Sequence, residues 1–336
     1  MVNHLPDNYL TLNSEQTRIL CDPILTDDTD LGEHDYIILT HIDFDTLDLL
    51  DNYVGSKPIY LSFELFKLIQ KLVRADLLEP VQANLKILPY NYSVKLGGIQ
   101  MAAFKNDDGQ FGSFTLIARG SHSTIGYCDS FYSHGNHKKR IKKWKKAFRE
   151  KQLDTLILGS KIAPISEQKN ILSENGMQEM LLKFITKNPA DQPLTALLSP
   201  FDPERLYRYD KTAKQNQRPI VWDKNYLQLL ESFYPFAEFF SAKNLPTTAQ
   251  SIIVQVEQSQ QLKHMNTFLD PALLHPNAVN IAGLIYQKHL CALTLAELNE
   301  FVSYIDPGQV IMKEDRSLAQ DHSIPQKWLR SLELTI

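Results

Sequence analysis

The chain has 336 residues, of which 43% are hydrophobic, and a formal net charge of -4. This length allows two domains, or one domain with an insertion, and the slight acidity excludes nucleic-acid binding through overall charge alone. Three cysteines without paired spacing argue against a disulfide framework and a cysteine-rich zinc site. Because we find no apolar run of about 20 residues and no signal-peptide pattern, we expect a cytoplasmic protein without a membrane partner.

Short β-rich runs alternate with helical patterns along the first half of the chain. Residues 35–40 and 58–62 are apolar runs bounded by turn residues, which is typical of buried strands. Residues 63–73 carry apolar side chains at helical spacing. Further strand-like runs are RILCDPIL, FTLIA and LDTLILGS, at 18–25, 114–118 and 153–160. This alternation predicts an α/β fold.

One histidine and two carboxylates follow the strand-like run at 35–40. His41, Asp43 and Asp45 stand at its carboxyl end, where open α/β sheets bind their ligands. Alternate residues of an extended loop point the same way, so the three side chains could converge on one ion. The pattern is equally typical of a solvated loop that caps a helix. The residues alone leave both interpretations open.

A strongly basic segment, HKKRIKKWKKAFRE, occupies residues 137–150, and eight of its fourteen residues are lysine or arginine. Helical spacing places Ile141, Trp144 and Phe148 on one apolar stripe and the basic residues on the other faces. One interpretation is an amphipathic helix with a solvated face. The other is a surface that contacts the phosphates of RNA or DNA. The candidate nucleic-acid contacts are Lys142, Lys143 and Lys146.

The sequence changes character after a connector, TKNPADQP, at residues 186–193. Beyond it, residues 194–198 have the pattern of a buried strand and residues 204–214 have helical spacing. Near the end of the chain, a helical run at 294–305 stands between the strand-like runs AVNIAGLIYQ and GQVIMKE, at 278–287 and 308–314. The second half therefore predicts a further α/β unit followed by a return to the first.

The order of these pieces resembles the metallo-β-lactamase fold. That family has a strand ending in His-x-His-x-Asp-His, then a helix and a strand, and here THIDFDTLDLL is followed by KPIYLSFELFKLI. The motifs ILCDP, NDDGQFGSFTLIA and STIGYCDSFYSHGNH are similar to others of the family. Later, SPFDPERLYRYDKTAKQNQRPIVW and YQKHLCALTLAELNEFVSYIDPGQVIMKE resemble the β-CASP insertion and closing motif of the ribonuclease J and polyadenylation-endonuclease group.

The resemblance, which runs from about Ile19 to Glu314, implies an αββα sandwich with an inserted smaller domain. Residues 1–189 and 278–336 would form the metallo-β-lactamase-like domain. Residues 190–277 would form the β-CASP-like inserted domain.

Matching the family's ligands to this chain shows many departures. His41 and Asp45 match, and His289 matches the additional histidine of the closing motif. Three further metal-binding histidines are replaced by acids, namely Asp43, Asp108 and Glu314. Thr46 stands where the family has a further histidine, and Gly159 stands where it has an acid. Ser130 takes the position of the bridging aspartate, and Asp129 is one residue before it. The resemblance thus implies as metal ligands His41, Asp43, Asp45, Asp108, Asp129 and Glu314.

Two functions follow from the resemblance. One is a weakened or metal-altered phosphodiesterase for RNA or DNA, in which Asp45 orients the attacking water and His289 steadies the phosphate. Its oxygen-rich ligand set favours one Mn²⁺ or Mg²⁺ ion over Zn²⁺. The other is a catalytically inactive relative without a cation. It would act as a nucleic-acid-binding or assembly module that pairs with an active paralogue or with itself.

Overall fold

The computed structural model describes residues 10–14, 17–23, 35–42, 44–53, 55–159, 164–165, 172–192, 194–245, 251–256, 267–273, 293–312 and 333–335. The chain divides into two compact units. The first contains Met1–Lys67, Pro80–Gln168 and Cys291–Ile336, and the second contains Leu68–Glu79 and Lys169–Leu290. Among the described residues, no helix is both long and apolar enough to span a bilayer.

The first unit contains a six-stranded sheet built mainly from the start of the chain. Its strands are β1 (Leu10–Ser14), β2 (Thr17–Cys21), β3 (Asp35–Ile38), β4 (Ile59–Leu61), β5 (Leu85–Ile87) and β18 (Glu333–Thr335), in the order β18-β1-β2-β3-β4-β5. The β1–β2 pair is antiparallel, whereas β2, β3, β4 and β5 run parallel. Helix α1 (Phe44–Asn52) follows β3 and helix α2 (Phe63–Arg74) follows β4. The carboxyl ends of β2, β3 and β4 therefore lie at one edge.

A second six-stranded sheet belongs to the same unit. Its strands are β6 (Ser93–Leu96), β7 (Ile99–Lys105), β8 (Phe114–Arg119), β9 (Thr124–Cys128), β10 (Thr155–Leu158) and β17 (Gln309–Met312), in the order β17-β10-β9-β8-β7-β6. Strands β6 to β9 are antiparallel, and β9, β10 and β17 are parallel. Helix α3 (Lys138–Glu150) connects β9 to β10, and α7 (Leu295–Ile305) precedes β17. The short strands β11 (Pro164–Ile165) and β16 (Leu293–Thr294) form a parallel pair.

Aromatic side chains pack α3 and α7 against this second sheet. The rings of Trp144 and Phe131 lie 5.5 Å apart at a steep angle, and those of Phe131 and Phe301 stack at 4.5 Å. Trp144 also donates from Nε1 to Asn106 Oδ1 over 3.2 Å. Ile141, Trp144 and Phe148 are the buried residues of α3, so the apolar stripe predicted from their spacing is confirmed.

The second unit has a four-stranded, fully parallel sheet. Its strands are β12 (Leu194–Leu197), β13 (Ile220–Val221), β14 (Ile253–Val256) and β15 (Thr267–Leu269), in the order β13-β14-β12-β15. Its helices include α4 (Glu174–Lys187), α5 (Pro203–Gln215) and α6 (Lys224–Phe233). Asp202 caps α5 by accepting from the backbone N–H groups of Glu204 and Arg205. The mixed α/β class is confirmed, while the boundaries at 190 and 277 stay a prediction.

A buried arginine holds the connector between α4 and β12. The Arg218 guanidinium donates to the carbonyl oxygens of Ile185 (3.0 Å), Asn188 (3.0 Å), Pro189 (2.9 Å) and Gln192. Burial lowers the pKa of Arg218 from its ordinary value. These bonds fix a segment whose composition is typical of an exposed, flexible linker.

We expect Arg218→Ala to expose this connector to proteolysis. In the native chain, cleavage by subtilisin should occur near residues 187–192 before it occurs within 35–40, because a buried strand must unfold to be cut. The variant should be cleaved near 187–192 at least several-fold faster, since four carbonyl groups lose the Arg218 donor, although Pro189 and Gln192 each keep another one. Mass spectrometry of fragments sampled over time gives the cleavage sites and both rates. Arg208→Ala, which removes an arginine that does not bond to the connector, is the control. Unchanged cleavage in Arg218→Ala would contradict the expectation.

Candidate functional site

The site is built where β2, β3 and β9 end. After β3, the N–H of Leu39 donates to Tyr60 O over 2.9 Å, and Thr40 O accepts from the N–H of Phe114 over 3.1 Å. These bonds hold the loop after β3 between β4 and β8, and His41 is buried there. The histidine's position is thus set by strand pairing that extends beyond its own segment.

Asp22 organises the floor of the site from the end of β2. Its backbone has a positive φ of 49°, a conformation that aspartate tolerates better than most residues. One carboxylate oxygen accepts from the Thr40 N–H, and the other from the Thr40 hydroxyl, both over 2.6 Å. The second oxygen also accepts from the hydroxyl of Tyr127 over 2.8 Å. Asp22 therefore links the ends of β2, β3 and β9.

The hydrogen-bond network indicates the tautomer of His41. The Thr40 hydroxyl gives its proton to Asp22, so its oxygen is left to accept from Nδ1 of His41, 3.1 Å away. With Nδ1 carrying a proton, the Nε2 atom of His41 faces Oδ2 of Asp129 at 3.6 Å. The imidazole thus lies between two carboxylates, since Nδ1 is also 3.7 Å from Oδ1 of Asp22. Asp22 therefore orients the imidazole indirectly, through the Thr40 hydroxyl.

Tyr127 stands between the same two carboxylates as a neutral donor. Burial raises the pKa of its hydroxyl well above the ordinary value, and the charges of Asp22 and Asp129 raise it further. The hydroxyl lies 2.8 Å from Asp22 and 3.3 Å from Oδ1 of Asp129. Tyr127 therefore keeps its proton, and its hydroxyl holds Asp129 through Oδ1 while Oδ2 of the same carboxylate faces His41.

Asp108 occupies a neighbouring polar cluster on the loop between β7 and β8. Its Oδ1 accepts from the N–H of Gln110 over 3.0 Å, and its Oδ2 accepts from the Ser130 hydroxyl over 3.4 Å. Next to it, Asp107 accepts from the N–H of His137 over 2.7 Å. Ser130, which the resemblance aligns with a bridging aspartate, is therefore a hydrogen-bond donor to Asp108.

Gly159 follows β10 and touches the backbone of Asp129. A Cβ atom at this position would lie 2.0 Å from the Asp129 carbonyl oxygen and 2.5 Å from its Oδ1. No side chain fits in this space without displacing the backbone, because real Cβ atoms do not approach so closely. The N–H of Gly159 also donates to Cys128 O over 3.0 Å. An acidic side chain, which the resemblance would place at residue 159, is therefore sterically excluded in this chain.

Only part of the predicted ligand set falls within the described residues. The structure brings His41 and Asp129 together and places Asp108 beside Ser130. Asp45 lies in α1 with its side chain outside the described part, and Asp43, His289 and Glu314 lie outside it entirely. Among the described residues, no group of three or more histidines, cysteines and acids could hold a metal ion. Thr40 and Tyr127 were missed by the sequence analysis, and only their places at strand ends could have indicated them.

The basic helix α3 presents its charges outward. Lys142, Lys143 and Lys146 are all exposed, as the nucleic-acid interpretation requires. Lys146 forms an i, i+4 ion pair with Glu150 at 3.6 Å between exposed side chains. Lys145 is half-buried, and burial lowers its pKa despite the nearby Glu300. The helix therefore has inequivalent cations, although the sequence alone makes them look alike.

Comparisons with known proteins give a fold relative without a known function. No family model matches the chain, and no curated protein is similar to it. A crystal structure of a protein of unknown function from Enterococcus faecalis V583 matches with a TM-score of 0.58 and 16% identity, over 86% of this chain and 77% of that one. The Zn(2+)-bound PqqB from Methylobacterium extorquens gives a TM-score of 0.32 and 10% identity, over 45% and 58%. The first likeness shows a shared mixed α/β fold.

Proposed function

We propose that this chain is a metallo-β-lactamase-like protein with a β-CASP-like insertion. The element order supports the proposal, since two six-stranded sheets in one unit are each accompanied by helices. The long excursion of the chain into the second unit, Lys169–Leu290, is compatible with an insertion, and that unit also takes in Leu68–Glu79 and α4, which lie outside residues 190–277. In this proposal residues 190–277 are the inserted domain, and residues 1–189 and 278–336 carry the candidate site.

The proposed centre holds one divalent cation between His41 and Asp129. The observation behind it is the oriented imidazole, whose Nε2 faces a carboxylate oxygen 3.6 Å away. Two ligands at about 2.1 Å from one ion lie roughly 3.0–3.5 Å apart, so small adjustments would suffice for both to bind the same ion. Asp43 and Asp45 are proposed as further ligands, and Asp108 and Glu314 as outer acids. One imidazole among carboxylates favours Mn²⁺ or Mg²⁺ over Zn²⁺.

The proposed activity is weak hydrolysis of an RNA or DNA phosphodiester. A bound cation would supply Lewis-acid stabilisation of the phosphate oxygens. Asp45 would orient the attacking water and His289 would steady the phosphate. A paired two-ion centre is disfavoured because Gly159 cannot be replaced by an acid and the buried Thr46 and Ser130 are poor ligands.

The second candidate is an inactive nucleic-acid-binding or assembly module, alone or with an active paralogue. The specific observation that favours it is that Asp22, Thr40, His41 and Tyr127 satisfy one another by hydrogen bonds without an ion. In this candidate, the Asp22–Thr40–His41–Asp129 network only stabilises the strand ends.

Metal binding distinguishes the two candidates. We expect protein purified without added metal to carry less than one equivalent of zinc, and to bind one Mn²⁺ weakly in a calorimetric titration. His41→Ala and Asp129→Asn should each weaken Mn²⁺ binding about tenfold or more, whereas His122→Ala should not, because His122 is exposed in the β8–β9 turn. Two tightly held zinc ions, lost together in His41→Ala, would refute the single-ion centre. No binding of Mn²⁺ or Mg²⁺ would support the inactive module.

A further inference from the structure

The charges of α3 are divided into distinct rows by the way the helix is buried. Lys138, Lys142, Lys145 and Arg149 follow one another at steps of four, three and four residues, so they lie along one side of the helix. Arg140 and Lys143 lie on the opposite side, while Lys139 and Lys146 point away from the sheet. The buried stripe cannot rotate, because Trp144 packs in the aromatic core and donates to Asn106.

The first of these rows borders α7. The Nζ atom of Lys145 lies 5.1 Å from the ring centroid of Phe301 and 4.9 Å from that of Tyr304. The guanidinium carbon of Arg149 lies 5.0 Å from the Tyr304 centroid. At the other end of α7, His134 Nε2 is 3.1 Å from Oε1 of Glu297. The two helices thus run side by side, with Lys145 and Arg149 of α3 at their boundary and with Glu297 and Glu300 on the α7 side. This boundary, extended along α3 by Lys138 and Lys142 of the same row, is here called the α3–α7 furrow.

Tyr304 gives the α3–α7 furrow an aromatic surface among its cations. Its side chain is 37% exposed, although the aromatic residue one turn earlier, Phe301, is buried. A phenol ring beside a lysine and an arginine is the combination that proteins use to bind single strands, because bases stack on the ring or guanidinium and cations contact phosphates. A solvated helix face requires the charges but does not require an exposed ring among them.

We propose that the α3–α7 furrow binds single-stranded nucleic acid. The phosphates would follow Lys138, Lys142, Lys145 and Arg149, and a base would stack against the Tyr304–Arg149 pair. This inference rests on the nucleic-acid partner of the proposed function but is independent of the cation centre. Of the three lysines predicted from the sequence, only Lys142 is kept as a contact. Lys143 faces the other side of α3, and Lys146 is paired with Glu150.

Two charge-matched double variants test the row. Fluorescence anisotropy with a labelled 12-nucleotide oligouridine or oligothymidine measures affinity as a function of salt. Lys142→Gln with Arg149→Gln should weaken binding tenfold or more and reduce the salt slope by about 1.4, since each lost single-strand contact contributes roughly 0.7. Lys139→Gln with Lys146→Gln removes the same charge from the same helix and should have a much smaller effect. Equal losses in the two double variants, or no binding by the native chain, would overturn the proposal.

Tyr304 tests the single-strand specificity. Tyr304→Ala should weaken binding of the single strand about fivefold to a hundredfold and leave the salt slope unchanged, because stacking and not charge is lost. Tyr304→Phe should retain binding, and a duplex of the same length should not respond to either change. RNA and DNA single strands are compared directly to identify the preferred sugar. An unchanged affinity in Tyr304→Ala, or equal binding of heparin with the same variant pattern, would overturn the proposal. Because His41→Ala leaves the furrow intact, loss of metal binding with retained oligonucleotide binding would separate the two proposals.

Discussion

Replacing Arg205 with alanine is expected to lower the free energy of unfolding of the second unit by about 3–5 kcal/mol. The Arg205 and Glu174 side chains are 2% and 4% exposed and form an ion pair. Nε of Arg205 also lies 3.5 Å from Glu174 Oε2, and Nη2 lies 3.6 Å from Oδ2 of Asp202. Removing the cation would leave the buried Glu174 and the partly buried Asp202 without their compensating charge, which costs more than the pair contributes when intact.

The pH dependence of this loss has a defined sign. Burial raises the pKa of Asp202 to about 7, with Arg205 opposing the rise and Glu174 adding to it. When the pKa of an acid is higher in the folded than in the unfolded protein, the protein loses stability as the pH rises from the unfolded-state pKa to the folded-state pKa. Without Arg205 that pKa should rise further, so the variant should lose more stability at pH 8 than at pH 5.

Urea unfolding at these two pH values, followed by circular dichroism and by hydrogen exchange of α5, measures the effect. Arg208→Ala is the matched control, because its i, i+4 pair with Glu204 at 3.0 Å is partly exposed and should contribute less than about 1 kcal/mol. In a Glu174→Gln background, the Arg205→Ala loss should shrink, since less uncompensated charge is left behind. A loss in Arg205→Ala no larger than in Arg208→Ala would contradict the prediction.

Gly159→Ala is expected to destabilise the first unit by about 3 kcal/mol. Its new methyl group would meet the Asp129 carbonyl oxygen at 2.0 Å, and the backbone must move to relieve this contact. The displaced residue is the proposed partner of His41, so Mn²⁺ binding should weaken together with stability. Gly159→Asp should be at least as destabilising and should not create a paired zinc centre.

The control for this prediction is another glycine of the first unit. A Cβ atom on Gly98 would lie 2.7 Å from the Ser14 hydroxyl oxygen, which can rotate away, so Gly98→Ala should cost less than about 1 kcal/mol. Thermal unfolding with and without Mn²⁺ measures both variants. If Gly159→Asp were as stable as the native chain and bound two zinc ions, the steric exclusion of an acid at residue 159 would be wrong.

Local periodicity was sufficient to predict much of the fold. The apolar runs at 35–40, 58–62, 114–118 and 153–160 correspond to β3, β4, β8 and β10, because a buried strand requires apolar residues whichever strand it pairs with. Helical spacing likewise predicted α2, α5 and α7, and it identified Trp144 and Phe148 as the buried side of α3. These features depend on side chains near one another in sequence, and a single sequence contains that information.

The site required the tertiary structure. The sequence indicates that His41 follows a strand, but Asp22, Tyr127 and Asp129 meet it only because β2, β3 and β9 end near one another. The approach of Asp129 to His41, and the glycine at 159 that makes room for Asp129, depend on the contact between the ends of β9 and β10. The burial of Ile141, Trp144 and Phe148 likewise determines which of the eight lysines and arginines of α3 share one exposed side of the helix. Such choices depend on distances between residues far apart in sequence, which only the packed chain determines.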